Sequence, residues 1–498
     1  MLEAVFSGLV QVLQWKAFSL MLVGIGTGFC VGLLPGLGGG TTLALMLAFI
    51  YPMEPVEAFA FLLGMHSVTS TTGDITSVLF GVPGEGSAAA TILDGHAMAK
   101  KGEAGRALGA ALMSSLVGAL IGALTLAVSV PIVRPLVLTF GAPELFMFAL
   151  LGISCVSSVS GQGLRPQLRG LAAGALGLLL ATVGRDPQMG GLRYDFGLTY
   201  LWGGLDLIPV LVGIFSIPEI VDLAVSKRSI AGTAASQNLG PGVFEGIKDT
   251  FRHLGVTLRC SAIGVWVGIL PGLGGAAGQW MAYAHAVQSV RNPEERKLFG
   301  KGDVRGVLGP GAANNSKEGG DLIPTIAFGV PGSSSMAILL GALMMKGLVP
   351  GPDMLTKHLD LTFSMVWTLV VANVITVVLA LLFLNHLVKL THIRAGVLVP
   401  IILLLVYIGS YTANNHLGDL VVTVLFGVVG YFMVLYEWPR APFVLGLVLG
   451  KTAETYYYIS VTRYGFDWLM RPWVIVQILL ITLIVVYPYV RAKKADVA

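Results

Sequence analysis

The sequence predicts an all-α polytopic membrane protein, built from two inverted structural repeats with broken or re-entrant helices and roughly 10–12 transmembrane segments. Three observations predict it. The chain of 498 residues is 55% hydrophobic and 12% charged, with a mean hydropathy of +0.81. Soluble domains carry about 25% charged residues. Apolar stretches near or above roughly 18 residues recur from end to end, without the alternation of about 10-residue barrel strands. Finally, a twelve-residue phrase occurs twice. GFCVGLLPGLGG (28–39) returns as GVWVGILPGLGG (264–275), identical at nine of twelve positions.

The elements follow in order. Residues 1–15 read as an amphipathic lead-in. Apolar arms at 16–34 and 36–51 flank the first PGLGG, and a helix runs over 55–68. The polar, glycine-rich stretch 69–87 reads as a break, followed by a short helix to 99. Spans are expected at 106–130, 143–160, 168–184 and 203–223. Arms at 254–270 and 272–289 flank the second PGLGG. A polar loop (291–305), a glycine-rich break (309–335) and a short helix to 347 come next. Spans at 361–385, 395–411, 418–437, 442–459 and 472–490 complete the chain. This divides it into an N-terminal repeat (1–224), a polar linker (225–252) and a C-terminal repeat (253–498). The 65 glycines fit close helix packing in lipid, with spaced pairs such as Gly118/Gly122 and Gly446/Gly450.

A second matched pair supports the repeat. FGVPG occurs at 80–84 and 328–332, each time after a Gly-Asp pair, Gly73-Asp74 and Gly320-Asp321. Charge suggests inversion. The loop after the first PGLGG arm carries Glu54 and Glu57, whereas its counterpart carries Arg291, Arg296, Lys297, Lys301 and Arg305. Under the positive-inside rule these loops lie on opposite sides. The basic tail (Arg491, Lys493, Lys494) and the linker (Lys227, Arg228, Lys248, Arg252) then face the cytoplasm. Lys100, Lys101 and Arg106 have no acidic counterpart, so the asymmetry is incomplete.

In PGLGG the proline suits the first turn of the following helix, and the glycines expose backbone N–H groups. A helix that starts at such a break points its positive dipole end into a cavity and binds an anion without a buried lysine. The candidate substrate ligands are Pro35, Gly36, Gly38, Gly39, Thr41 and Thr42 in the first copy. Pro271, Gly272, Gly274, Gly275 and Gln279 serve in the second. If the two tips meet, two helix N-termini grip the two ends of a di- or tricarboxylate. The competing reading is a proline-glycine kink that serves packing alone, and two copies at matched positions weigh against it.

The FGVPG breaks add Ser333 and Ser334 to the substrate candidates. Small hydroxyls, amides and single acids around them suit a coupling ion, Na⁺ or H⁺, with Asp74, Thr72, Asn314, Asn315 and Asp321 as candidates. Lys317 and Glu318 read as ordinary solvated loop residues. His66 and His285 read as hydrogen-bonded interior histidines in preference to proton relays. Trp438, Trp468, Trp473 and Tyr456–Tyr458 read as interfacial belt residues. Cys30, Cys155 and Cys260 lie singly and read as structural thiols, with no metal-type spacing. No cofactor is expected, and no metal beyond a transient Na⁺.

The net charge of +4 is dispersed and suggests no nucleic-acid partner. The N-terminus lacks a basic region followed by a small-residue cleavage site, so no cleaved signal peptide is expected. No HExxH, paired-aspartate, Ser/His/Asp or CxxC set argues for an enzyme, and no GxxxxGK[ST] loop for a primary pump. An intramembrane enzyme and a passive anion channel remain the alternatives to secondary transport.

Four stretches carry a family resemblance: GLLPGLGGGTT (32–42), TTGDITSVLFGVPGEGSAAATILDGHAMAKKG (71–102), GILPGLGGAAGQWMAYAHA (268–286) and NNSKEGGDLIPTIAFGVPGSSSMAILLGAL (314–343). With them the chain resembles the large membrane subunit of the tripartite tricarboxylate transporters, the TctA family, over nearly its whole length. The resemblance implies an ion-coupled carboxylate importer of the bacterial inner membrane. It also implies a small four-helix membrane subunit and a periplasmic solute-binding protein as partners.

Overall fold

The computed structural model describes residues 1–32, 38–81, 88–159, 164–186, 188–226, 240–270, 274–390 and 395–495. Over these residues the chain is almost wholly helical. In the first half α1 (Leu2–Leu13) and α2 (Trp15–Gly32) precede the first PGLGG, and α3 (Gly39–Met46) follows it and tightens into a 3₁₀ turn, Leu47–Ile50. Then come α4 (Pro55–Phe80), α5 (Ala89–Lys100), α6 (Ala104–Val137), α7 (Ala142–Val159), α8 (Leu164–Ala181) and α9 (Leu207–Ser226). The second half opens with α10 (Gly240–Arg252) and α11 (Leu254–Ile269), and α12 (Gly274–Ser289) follows the second PGLGG. It continues through α13 (Pro293–Arg296), α14 (Arg305–Phe328), α15 (Ser334–Met345) and α16 (Leu359–Leu390). The last four are α17 (Ala395–Asn414), α18 (Leu417–Leu435), α19 (Arg440–Tyr464) and α20 (Pro472–Ala495).

Four described helices are long and apolar enough to cross a membrane: Trp15–Gly32, Ala104–Val137, Leu359–Leu384 and Leu417–Leu435. At about 1.5 Å per residue, eighteen residues span roughly 27 Å, close to the hydrocarbon thickness. Shorter apolar helices include Leu254–Ile269 and Ser334–Met345.

Two expected breaks are helical instead. The polar stretch that begins at 69 continues α4 to Phe80, and most of the glycine-rich stretch from 309 lies inside α14. In α4 the hydroxyls bond back to the preceding turn, Thr71 to the Ser67 carbonyl at 2.9 Å and Thr72 to that of Val68 at 2.8 Å. Their polarity is satisfied inside the helix, so it does not open the chain. In α14 the glycines are packing surfaces. Gly118 and Gly122 of α6 lie against the backbone of Ala312, Ser316 and Gly319, with no room for a Cβ. Both long helices end at the glycine of FGVPG. Gly81 (φ 64°) and Gly329 (φ 68°) take the left-handed conformation, and their N–H groups donate to the Ser77 and Thr325 carbonyls.

The packing matches between the halves. α2 runs parallel to α4, with Gly24 on Phe61, Gly28 on Met65 and Gly32 on Thr69. α11 runs parallel to α14, with Gly264 on Ala313 and Gly268 on Lys317. The amphipathic α1 lies on α16, where Gly8 abuts Phe363, and α10 lies on α6, where Gly246 abuts Ala110. Thus residues 240–252 of the expected linker form a docked helix, fixed by Arg106 Nε to Asp249 Oδ2 at 2.6 Å, while 227–239 fall outside the described residues.

Between α8 and α9 a short hairpin pairs Gly184–Arg185 with Leu192–Arg193. Arg193 clamps Glu454 of α19 at 2.7 and 2.9 Å. The N–H groups of Gln188 and Met189 hold the Asp186 carboxyl below the usual carboxylate range, with Arg193 adding to the effect.

Candidate functional site

The two helices that follow the breaks at Gly38 and Ser333 begin side by side. Gly38 is extended (φ −67°, ψ 166°) and caps α3; its carbonyl accepts from the Thr42 N–H and the Thr42 hydroxyl, both at 3.1 Å. Ser333 is extended and caps α15, its Oγ accepting from the Met336 N–H. A Cβ placed on Gly40 would lie 3.5 Å from Ser335 Oγ, so the first turns of α3 and α15 touch. The leading N–H groups of both helices have no acceptor within their own helix.

These turns form one wall of a cavity of about 520 Å³. Gly38, Gly40 and Thr41 line it from the first half, and Gly332 to Ser335 from the second. The opposite wall is the turn into α19, Glu437 to Ala441, with Phe215 of α9 beside it. Glu437 takes a left-handed conformation (φ 56°) and Pro439 caps α19, so a third helix N-terminus opens on the same space.

Arg440 is the first residue of α19. A cation there opposes the helix dipole, so its position calls for an anionic partner. Part of that partner is Glu219, 2.9 Å from Arg440 Nη2. Nη1 donates to the carbonyls of Ile214 at 3.2 Å and Phe215 at 3.4 Å. The Ile214 carbonyl is available because Pro218, four residues on, has no N–H to offer it. The guanidinium lies 5.2 Å from the centroid of the Phe215 ring. Its side chain stays 20% exposed toward the cavity. Three helix N-termini and one fixed guanidinium therefore surround a space the size of a small organic acid's site.

Of the residues singled out in the sequence, Gly38, Thr41, Ser333 and Ser334 line this cavity. Thr42 is buried behind it, and Gly39 turns the other way, onto the ring of His66. Pro35, Gly36, Pro271 and Gly272 lie outside the described residues. Gly274 and Gly275 open α12, and Gln279 is buried on it and does not line the cavity. The helices pair crosswise. α3 packs on α15, the helix after the second FGVPG, and α12 packs on α5, the helix after the first, where Tyr283 Oη donates to Asp94 Oδ2 at 3.0 Å. So the helix after each PGLGG meets the helix after the opposite half's FGVPG, while the turns at 33–37 and 271–273, which the sequence suggested face each other, lie outside the described residues.

The candidate coupling-ion residues divide among three places. Asn314 Nδ2 donates to the Ser70 carbonyl at 2.9 Å, and Asn315 Nδ2 to Thr71 Oγ1 and Asn373 Oδ1, both at 2.8 Å. They form a buried polar seam where α14 crosses α4. Thr72 faces Gly32 of α2. Asp74 accepts from Thr91 at 2.9 Å, and Asp321 pairs with Lys317 at 3.0 Å. Lys317 and Glu318 are not solvated loop residues. Both sit on α14, Glu318 is buried, and it accepts from Ser67 Oγ at 3.2 Å. The described residues contain no cluster of three or more His, Cys, Asp or Glu that could hold a metal ion.

His66 also departs from its expected role. It is 2% exposed, and neither ring nitrogen finds a hydrogen-bond partner among the described residues. Trp468 is buried against Met147 and Val474, whereas Trp438 lines the cavity. Arg440 and Glu219 did not stand out in the sequence. The available signal was an arginine directly after proline at the start of a helix, between two apolar spans.

A second cavity, about 710 Å³, lies at the far ends of α3 and α15, lined by Tyr51, Met344 and Met345. At that far end the two segments are tied together. Lys346 Nζ, just past α15, donates to the carbonyls of Tyr51, at 2.8 Å, and Met53.

Comparison with known proteins places this arrangement. Residues 18–445 match the model of the tripartite tricarboxylate transporter TctA family. An Agrobacterium vitis protein, described as an uncharacterized 52.8 kDa protein in the TAR-I ttuC' 3' region, is similar. It is 32% identical over 434 residues, 87% of this chain and 84% of its own length. A second protein of that organism, described as uncharacterized and in the TAR-II ttuC' 3' region, is 32% identical over 191 residues, 38% of this chain and 78% of its own. No solved structure matches. The chain belongs to the tripartite tricarboxylate transporter TctA family and is a membrane transporter component of a tricarboxylate transport system.

Proposed function

We propose that this chain is the large permease subunit of a binding-protein-dependent secondary transporter. It imports di- or tricarboxylate anions, coupled to Na⁺ or H⁺, and is not an enzyme. The anion binds in the cavity between Gly38, Thr41, Ser333, Ser334 and Arg440. One observation carries this reading: three helix N-termini and a guanidinium converge on one cavity. Such donors hold carboxylates without a free buried charge.

The matched packing of α2 on α4 and α11 on α14, with opposite loop charge, supports two inverted repeats, 1–224 and 253–498. The two cavities at opposite ends of α3 and α15 support alternating access across that helix pair. Its partners are a periplasmic solute-binding protein and a small four-helix membrane subunit. The protein resides in the bacterial inner membrane with its C-terminus in the cytoplasm.

Uptake of a carboxylate panel by the complete three-part system in vesicles, at varied sodium and pH, tests the reading. Arg440→Ala is expected to raise the half-saturating concentration about 10- to 100-fold, the loss of one charge-assisted contact. Unchanged saturation would remove the anion from this cavity. Trans-stimulated counterflow is expected of a carrier and not of a channel.

A further inference from the structure

The ring of His66 lies directly behind the first turn of α3. A Cβ placed on Gly39 would sit 2.8 Å from His66 Nδ1 and 3.0 Å from Thr69 Oγ1, so the imidazole rests on the backbone of that turn. Gly38, Gly40 and Thr41 of the same turn face the cavity. His66 and the proposed anion are therefore separated by a single turn of helix. The Thr69 hydroxyl beside the ring is already used, donating to the His66 carbonyl at 2.8 Å.

A buried imidazole with two unpaired nitrogens is uncommon, because each unmet polar group costs free energy. Among the described residues the charged groups near it are on α14. Lys317 and Asp321 pair at 3.0 Å, and Glu318 accepts from Ser67, the residue next to His66. Neither α3 nor the last turn of α2 carries an acid or base, apart from the thiol of Cys30. Among the described residues no carboxylate hydrogen-bonds to the ring. A multiply charged anion on the cavity side of the turn would add negative field one helix turn from the ring.

We propose that His66 is the site of a coupling proton, taken up when a carboxylate anion occupies the N-terminus of α3 and released when the anion leaves. The inference rests on the anion reading of the cavity. The unprotonated ring nitrogen gains H⁺ from water, no bond of the anion breaks, and charge of opposite sign arrives on the two sides of one helix turn. Each ligand then favours the other, and reciprocally. Proton movement without anion is suppressed because the lone imidazolium would be buried without a hydrogen-bonded carboxylate.

The test uses the full-length protein in lipid nanodiscs, with citrate as the probe. Proton uptake on citrate binding is read by a pH dye in weak buffer near about pH 7.5, where an unperturbed histidine is mostly neutral. Wild type is expected to take up close to one proton per citrate, and His66→Gln to bind citrate with proton uptake reduced at least about fivefold. Equal uptake in the variant, or citrate binding by wild type without uptake, would overturn the proposal. Nitrogen NMR of the wild-type histidines gives a second reading that does not depend on the variant folding. The His66 ring should pass from neutral to doubly protonated on citrate addition, and a ring that stays neutral would overturn the proposal. Citrate binding unaffected by Arg440→Ala would count against the cavity reading instead, and so separates the two failures.

Discussion

Arg440 Nη2 lies 2.9 Å from Glu219 Oε1, joining the first residue of α19 to the last turns of α9. The pair fixes a guanidinium at the edge of a cavity that already collects the N-termini of α3 and α15. Arg440→Lys keeps the charge but loses the fork that also holds the Ile214 and Phe215 carbonyls, and should raise the half-saturating carboxylate concentration about tenfold. Glu219→Gln removes a competing negative charge and should lower it about threefold. Saturation curves in vesicles decide. If both variants weaken uptake equally, the pair serves only to hold the helices together.

Gly38 lines the cavity at the cap of α3. Gly38→Leu would project a side chain into the anion's space and should reduce uptake at least about 100-fold while the protein still reaches the membrane. Gly274→Leu, on the crosswise partner pair, should also abolish uptake. Normal uptake in both variants would show that these breaks serve packing alone.

Lys317 and Asp321 form an i,i+4 pair on α14, with side chains 12% and 1% exposed. Asp321→Asn should destabilise the protein by about 3 kcal/mol, because it breaks the ion pair of a mostly desolvated ammonium. Lys317→Met combined with Asp321→Asn should recover most of that loss. Thermal unfolding in detergent measures both. If uptake by the double variant keeps its full sodium and pH response, Asp321 is structural and the coupling ion binds elsewhere.

Gly319 of α14 meets Gly122 of α6 backbone to backbone. Gly319→Val should cost about 3 kcal/mol or more and sharply lower the amount of folded protein in the membrane. Fluorescence-detected size exclusion would report it. A wild-type profile would mean that α6 and α14 can separate without unfolding the chain.

Lys346 ties the far end of α15 to Tyr51 and Met53. Lys346→Met should loosen that end of the helix pair, beside the second cavity. A cysteine placed at Met345, which lines the 710 Å³ cavity, should then react with a water-soluble thiol reagent at least about threefold faster than in the Lys346 background. An unchanged rate would deny the tie a gating role.

Much of the architecture was legible in residue order. The arms around each PGLGG, the short helices after each FGVPG and the late spans from 361 onward appear close to their expected limits. The stretches from 69 and 309 were misread, since glycine and hydroxyl content looks the same in a loop as in a tightly packed helix. Thr71, Thr72 and Gly319 differ from loop residues only in what lies four residues back or on the neighbouring helix. The solvated reading of Glu318 failed for the same reason, because Ser67, its partner, lies 251 positions away.

The sequence alone determined that this is a helical membrane protein with two matched pairs of breaks, because hydropathy, Gly-Pro punctuation and repetition are local properties. It also determined four cavity residues, Gly38, Thr41, Ser333 and Ser334. Only the tertiary structure decided that α3 meets α15, that Arg440 completes their cavity and that His66 stands behind it with no hydrogen-bond partner among the described residues. Those outcomes depend on which helices pack together across hundreds of residues. A helix terminus carries its field wherever it goes, but packing alone selects which termini share a space.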